Sequence, residues 1–213
     1  MIAKVLLSIL VLAVFCRPIE SFQSSQQPRV ISQVKNRHCV RATTTSIRSA
    51  VAGESVGVYE EIKVPTLQGI FFVDITPDIR RIVEESGVHT GSVTVLSQHT
   101  TTAITINEME GRLVDDARQF LLKLVPAAYP YLHNDLHLRK GPEGGPGGDE
   151  AWRAQEPINC HSHLIVMLLG TSEAIPISGG ELKLGTWQSV IMAELDGPRT
   201  RTVAVSVVGV KGK

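Results

Sequence analysis

Between Val58 and Val64, and again between Gly69 and Ile75, β-branched and aromatic residues dominate, with Pro65 and Gly69 punctuating the gap; this predicts a hairpin-like pair of strands. The rhythm then turns helical. Thr76 suits a cap and Pro77 the first helical position, Ile79, Ile82 and Val83 form an apolar stripe, and Gly87 suits a left-handed stop. Strand character returns at Ser92–Leu96 and Thr102–Ile106. A second helix is predicted over Arg112–Val125, with Leu113, Ala117, Phe120, Leu121 and Leu124 on one face and Pro126 and Pro130 beyond its end. From His133 to Pro157 there is little periodicity, and residues 141–148 have the composition of a mobile loop. Ile158–Leu169 is apolar enough for a helix stopped at Gly170. Four closely spaced strand segments follow: Ala174–Ile177, Glu181–Leu184, Trp187–Leu195 and Arg199–Val208. Most connections are too short for parallel crossovers, so the predicted class is α+β, a mainly antiparallel sheet packed with two to three helices.

Residues 5–16 form one apolar run, too short to cross roughly 30 Å of hydrocarbon, and read as a signal-peptide core. Residues 21–53 hold nine Ser/Thr and five Lys/Arg and no acid, the composition of a transit segment. A division follows: 1–20 signal-like leader, 21–53 transit-like or disordered segment, 54–213 folded domain. Two addresses in series resemble the bipartite leader of proteins sent to plastids bounded by extra membranes; plain secretion is the alternative. Charge supports the division. The 213-residue chain has zero formal charge, yet residues 1–53 carry seven Lys/Arg and one acid while residues 54–213 carry 14 and 20. A net-acidic body argues against nucleic acid as partner. After leader removal no stable membrane span is expected, and Cys160 is then the single thiol, which forms no internal disulfide.

Seven histidines dominate the candidate chemistry. His99 shares the parity of Val93, Val95 and Ser97 and points core-side where its strand ends, either as a site residue or as a hydrogen-bonded structural histidine. His133 and His137 have metal-helix spacing, but Asn134 stands where a zinc protease needs its glutamate. His161 and His163 share a side on a strand and diverge by about 200° on a helix, where only one of them should be a ligand. His99, His133 or His137, and His161 or His163 offer three imidazoles to a divalent ion, or else are scattered loop histidines. Glu194, on an otherwise apolar strand, needs a role or a partner such as Arg199 or Arg201. Those arginines suit phosphate. No G-x-S-x-G, dinucleotide fingerprint or C-x-x-C is present, which argues against an α/β-hydrolase, a dinucleotide enzyme and a cysteine-zinc module, and the glycine loop lacks a Walker ending.

Taken in order, Gln98-His-Thr-Thr-Thr-Ala-Ile-Thr-Ile-Asn-Glu108, Tyr131-Leu-His133, Asn159-Cys-His-Ser-His163, Leu169-Gly-Thr-Ser172, Gly185-Thr-Trp-Gln188 and Glu194-Leu-Asp-Gly-Pro-Arg199 resemble the YjbQ-like family, often labelled secondary thiamine-phosphate synthase. The resemblance covers about residues 55–213. It implies a small α+β domain, a homotrimer, and a site built from histidines with a divalent metal ion, zinc or another, near a subunit interface. Its implied ligands are His99, His133 and His163, with His137 and His161 as alternates. Glu108, Glu194, Asn107 and Gln188 become candidate catalytic residues, and Trp187, Arg199, Arg201 and Thr100 candidate substrate contacts. The implied reaction joins a pyrimidinylmethyl diphosphate to a thiazole phosphate with release of pyrophosphate. A metal-dependent hydrolase of a small phosphorylated metabolite and a non-catalytic trimeric binding protein are the other readings. The leader and the expanded Gly/Pro loop at 141–148 depart from the family pattern.

Overall fold

Alternation of apolar and polar residues decides which face of each strand is buried, and in this chain it builds two sheets rather than one. The computed structural model describes residues 53–212; the readings of the leader and transit-like segment fall on residues outside them. The elements in order are β1 (Ser55–Pro65), β2 (Gly69–Asp74), α1 (Thr76–Ser86), β3 (Val88–Ser97), β4 (Thr102–Asn107), α2 (Gly111–Leu124), two 3-10 turns (Leu132–Asn134 and Leu136–Leu138), α3 (Gly148–Gln155), α4 (Cys160–Leu169), β5 (Ser172–Ser178), β6 (Glu181–Leu182), β7 (Ser189–Gly197) and β8 (Thr200–Lys211). The five-stranded sheet runs β1-β8-β3-β5-β6 and the three-stranded sheet β2-β7-β4. Every pairing is antiparallel. The α+β class stands, with four helices where two to three were expected.

The sheets stack through their apolar faces. Val93, Val95, Val203, Val205 and Val207 from the larger sheet meet Ile104, Val190 and Met192 from the smaller one, and Ile79, Ile82 and Val83 of α1 join this cluster. On the far face of the smaller sheet, Ala103, Ile191, Ala193 and Leu195 pack against Val114 and Leu121 of α2 and Ile165 and Val166 of α4. β7 is therefore covered on both sides. Removing a large side chain from such a layer, as in Ile104→Ala, costs about 2–5 kcal/mol. Among the described residues no helix is long and apolar enough to cross a membrane.

Four local expectations change. β1 and β2 are not a hairpin: β1 pairs with β8, and β2 with β7 in the other sheet. Pro65 ends the β1 ladder, and the Thr66 amide donates to the Arg199 carbonyl while the Thr66 hydroxyl accepts the Arg199 amide, turning the chain from one sheet to the other. α1 begins as expected and ends at Gly87 in the left-handed conformation (φ 67°). Its cap differs, however: Asp74 Oδ1 accepts the Thr76 amide, while the Thr76 hydroxyl accepts the Val190 amide. The α2 stripe is rotated. Val114 and Leu121 are buried, whereas Leu113, Phe120 and Leu124 are exposed. The helix carries two adjacent apolar stripes; the buried one meets the smaller sheet, while Arg118 donates Nε–H to the Ile70 carbonyl and lies 6.0 Å from the Phe72 ring centre.

The Gly/Pro stretch at 141–148 is loop and turn up to its last residue, where α3 begins in a segment of little periodicity. Gly141 lies so close to Trp152 that a Cβ there would sit 2.9 Å from the indole, and its amide donates to Asp149. Arg139 is the knot of this segment. Its guanidinium lies 5.0 Å from the Trp152 ring centre and donates to the His133 carbonyl (3.1 Å) and to Glu156 (3.2 Å), while its own carbonyl accepts two bonds from Arg153.

Candidate functional site

The end of β7 and the start of β8 form the floor of a polar cleft of about 230 Å³, lined by His99, Thr100, Thr101, Glu156, Pro157, Asn159, His163, Asp196, Arg199 and Arg201. Glu194 points between the sheets because it shares parity with Val190 and Met192, and its side chain is 0% exposed. A carboxylate there needs full compensation. Arg201, 3% exposed, grips it with Nε to Oε2 (2.5 Å) and Nη2 to Oε1 (2.6 Å). The Asp196 amide and the Thr66 hydroxyl donate the remaining bonds. Burial opposes ionisation of Glu194, but these hydrogen bonds outweigh it and hold its pKa below the ordinary value. Gly197 permits this closeness: a Cβ there would lie 2.3 Å from the Leu67 carbonyl oxygen and 2.9 Å from Glu194 Cγ. The expected arginine partner of Glu194 is thus Arg201. Both carboxylate oxygens of Glu194 are engaged in holding Arg201.

One wall is the turn from β3 to β4. Ser97 accepts the His99 amide, the Gln98 amide donates to the Thr202 carbonyl (3.2 Å), and the Thr202 amide donates to His99 Nε2 (2.8 Å). Two residues on, Thr101 Oγ1 accepts from Arg201 Nη2 (3.1 Å). Burial, then the charge of Arg201, keeps the His99 pKa below its ordinary value, so the ring is neutral at pH 7.

The opposite wall comes from the approach to α4 and its first turn: Glu156, Pro157, Asn159 and His163, with the first 3-10 turn behind His163. His133 and His163 meet edge to face with ring centres 4.8 Å apart. Burial, then Arg139, depresses the pKa of His133, and burial depresses that of His161. Asn159 donates Nδ2–H to Asp196 (2.8 Å), which also accepts from Arg199 (3.2 Å). His133 Nε2, Asn159 Oδ1 and His161 Nδ1 are buried without a partner among the described residues.

Of the three imidazoles expected to hold a divalent ion, two are neighbours. His133 and His163 stand side by side and His133 offers an unpartnered Nε2. His99 does not fit, because its Nε2 lone pair already takes the Thr202 N–H. Among the described residues no three His, Cys, Asp or Glu side chains gather closely enough to hold one ion.

Of the remaining candidates, Thr100, Arg199 and Arg201 line the cleft. Asn107, Glu108, Trp187 and Gln188 do not. Asn107 pairs with Ser189 at the other end of β7, five strand residues, or about 17 Å, from the Thr102–Glu194 pair. There Asn107 and Glu108 border an apolar groove with Leu113 and Phe120, Gln188 accepts the Gly185 amide, and Trp187 is exposed. His137 is exposed in the second 3-10 turn. Asn159, Asp196, Glu156 and Thr202 were not singled out from sequence. The legible signals were an Asn just before a helix and an Asp beside the two arginines.

The profile described as "UPF0047 protein YjbQ-like" matches residues 60–210. The chain belongs to this family. Among its YjbQ-like relatives, a UPF0047 protein of Methanothermobacter thermautotrophicus is 37% identical over 150 residues, covering 70% of this chain and 91% of the relative. The UPF0047 protein YugU of Bacillus subtilis is 30% identical over 149 residues, covering 70% and 97%. Solved structures agree with this YjbQ-like fold. A Sulfolobus solfataricus protein described as YbjQ-like and of unknown function superposes with a TM-score of 0.62 at 29% identity, covering 73% of this chain and 99% of its own. A Clostridium acetobutylicum member of the yjbq/upf0047 family gives 0.58 at 34% identity, covering 70% and 98%.

Proposed function

We propose that the chain is a secondary thiamine-phosphate synthase-like transferase, joining a pyrimidinylmethyl diphosphate to a thiazole phosphate. The observation that carries this reading is the composition of the cleft: a braced Arg201 and a neutral His99 share it with His163, whose ring meets His133, and no serine or cysteine is among the described lining residues. The reaction needs no protein nucleophile. The methylene carbon–oxygen bond breaks with its electron pair leaving on the diphosphate, and the thiazole nitrogen lone pair forms the new carbon–nitrogen bond. Charge developing on the departing oxygens is the main demand on the protein. Arg201 and Arg199 meet it by donating N–H bonds. His133 and His163 would hold a divalent ion, which when bound supplies Lewis-acid charge to phosphoryl oxygens. Glu194 keeps Arg201 in place and takes no part in proton transfer.

A cleft of about 230 Å³ is smaller than the roughly 300–1,000 Å³ that encloses a whole drug-sized ligand. It suits the phosphorylated end, and the rings would extend beyond it. The exposed Phe120, Leu124, Met167 and Leu168 support burial of this side in a homotrimer, where Asn107, Glu108, Trp187 and Gln188 would serve a neighbour's cleft. Sedimentation is expected to give a trimer, and Phe120→Glu a smaller species. The leader is proposed as a plastid address; a fluorescent protein carrying residues 1–53 tests it, with secretion as the contrary outcome.

Incubating the full chain with both precursors, with zinc, magnesium or a chelator, is expected to give thiamine phosphate and pyrophosphate in equal amounts. Orthophosphate alone would indicate a hydrolase, and no product at all a binding protein.

A further inference from the structure

We infer that His99 and Arg201 form a preorganised cradle for a phosphoryl or diphosphoryl oxygen, with His99 acting as a neutral Nδ1–H donor and not as a metal ligand. This rests on the reading of the cleft as the site for a phosphorylated ligand and gives that ligand its first contacts.

Tautomer chemistry carries the argument. A neutral imidazole has one N–H and one lone pair. The Thr202 amide donates to His99 Nε2 at 2.8 Å, so Nε2 supplies the lone pair and Nδ1 carries the proton. Turning the ring over would place a C–H against the Thr202 N–H and lose the bond. Nδ1 has no partner among the described residues and is not among the buried unpartnered atoms, so it faces the cleft as a donor. Arg201 is limited in the same way. Its Nε and Nη2 are occupied by Glu194 and Thr101, leaving Nη1 as the guanidinium nitrogen without a partner among the described residues, and it too is not sealed from solvent.

Both donors are braced by one short piece of chain. The His99–Thr102 turn supplies the imidazole that docks on Thr202 and the hydroxyl that receives Arg201, while Arg201 and Thr202 are neighbours on β8. Fixed N–H groups lose little freedom when an anion arrives, which is the advantage of preorganisation. The surrounding carboxylates are already engaged: Glu194 by Arg201, Asp196 by Asn159 and Arg199, Glu156 by Arg139. Recognition therefore depends on the direction of N–H bonds more than on net charge.

The test uses the full chain labelled with ¹⁵N-histidine, with inorganic pyrophosphate, orthophosphate and zinc as separate probes. His99 is expected as the Nδ1–H tautomer, with its Nδ1–H resonance shifting saturably on adding pyrophosphate or orthophosphate. Zinc is expected to perturb His133 and His163 and leave both His99 nitrogens unmoved. His99→Phe, which keeps a ring but no donor, is expected to weaken pyrophosphate binding about 10- to 100-fold, the worth of a hydrogen bond to a charged group. His99→Asn, with an amide near the Nδ1 position, should recover part of that loss. An Nε2–H tautomer, zinc bound at His99, or unchanged pyrophosphate affinity in His99→Phe with the wild-type fold intact would each overturn the inference. Because binding is read without turnover, failure to make thiamine phosphate while the anion still shifts His99 would count against the transferase alone.

Discussion

The two walls of the cleft are built on different terms. The His99–Arg201 wall is made from strands and the turn joining them, and its buried polar atoms all have partners: carboxylate with guanidinium, imidazole with amide, hydroxyl with guanidinium. The side that carries the His133–His163 pair is made from a 3-10 turn and the first turn of α4, and three of its buried polar atoms have no partner among the described residues. An unmet buried polar group costs about 1–3 kcal/mol, so that wall has more to gain from an incoming group. One wall is fixed before any ligand arrives. The other keeps buried polar atoms that no described residue satisfies.

The largest expected effect breaks the first wall. Glu194→Ala leaves Arg201 buried without its counter-charge and should cost about 3–5 kcal/mol, read by urea unfolding; wild-type stability would show the pair to be dispensable. The pH dependence has a definite sign. Because the folded pKa of Glu194 is depressed, its contribution is present above the unfolded value of about 4.3 and is lost as pH falls below that toward the folded value. The acid limb of the wild-type profile should therefore be steeper than that of Glu194→Gln.

A second experiment sharpens the contrast through metal affinity. His133→Ala or His163→Ala is expected to weaken zinc binding by at least tenfold in calorimetry, while His99→Asn stays within about twofold of wild type. Equal losses at all three positions would merge the walls into one metal site. A smaller effect is expected at Arg139→Met, which unties His133 from Glu156. About 1–2 kcal/mol and faster protease cleavage within residues 141–148 should follow. Smallest of all is His137→Ala, an exposed change expected within 0.5 kcal/mol of wild type and without effect on zinc.

The same contrast explains what the amino-acid sequence made legible. Parity along β3 marked His99 at the strand's end, where it lines the cleft, and an acid on an apolar strand marked Glu194 as needing a role or a partner, which Arg201 supplies. Face is a local property with a period of two. Sheet membership is not, and so β1 and β2 were paired when each belongs to a different sheet. The helical wall was harder to read. Asn159 and Asp196 meet across 37 residues, and α3 is held by Trp152 against Gly141 and by Arg139, contacts that no short window contains. α2 offered two apolar stripes, and the buried one is the stripe that meets the smaller sheet while Arg118 reaches the Ile70 carbonyl. Asn107, Glu108, Trp187 and Gln188 were grouped with the histidines because their motifs are ordered along the chain, yet order along the chain does not bring opposite ends of β7 together.

β7, sealed on both faces, has a kinetic consequence. Amides of a strand enclosed between two hydrophobic layers become accessible only when the whole domain opens, so deuterium should reach Ala193, Glu194 and Leu195 last. The carboxylate that holds the cleft's arginine sits on that slowest-exchanging stretch. Warming that loosens α3 and its glycine-rich approach should leave this anchor in place until global unfolding.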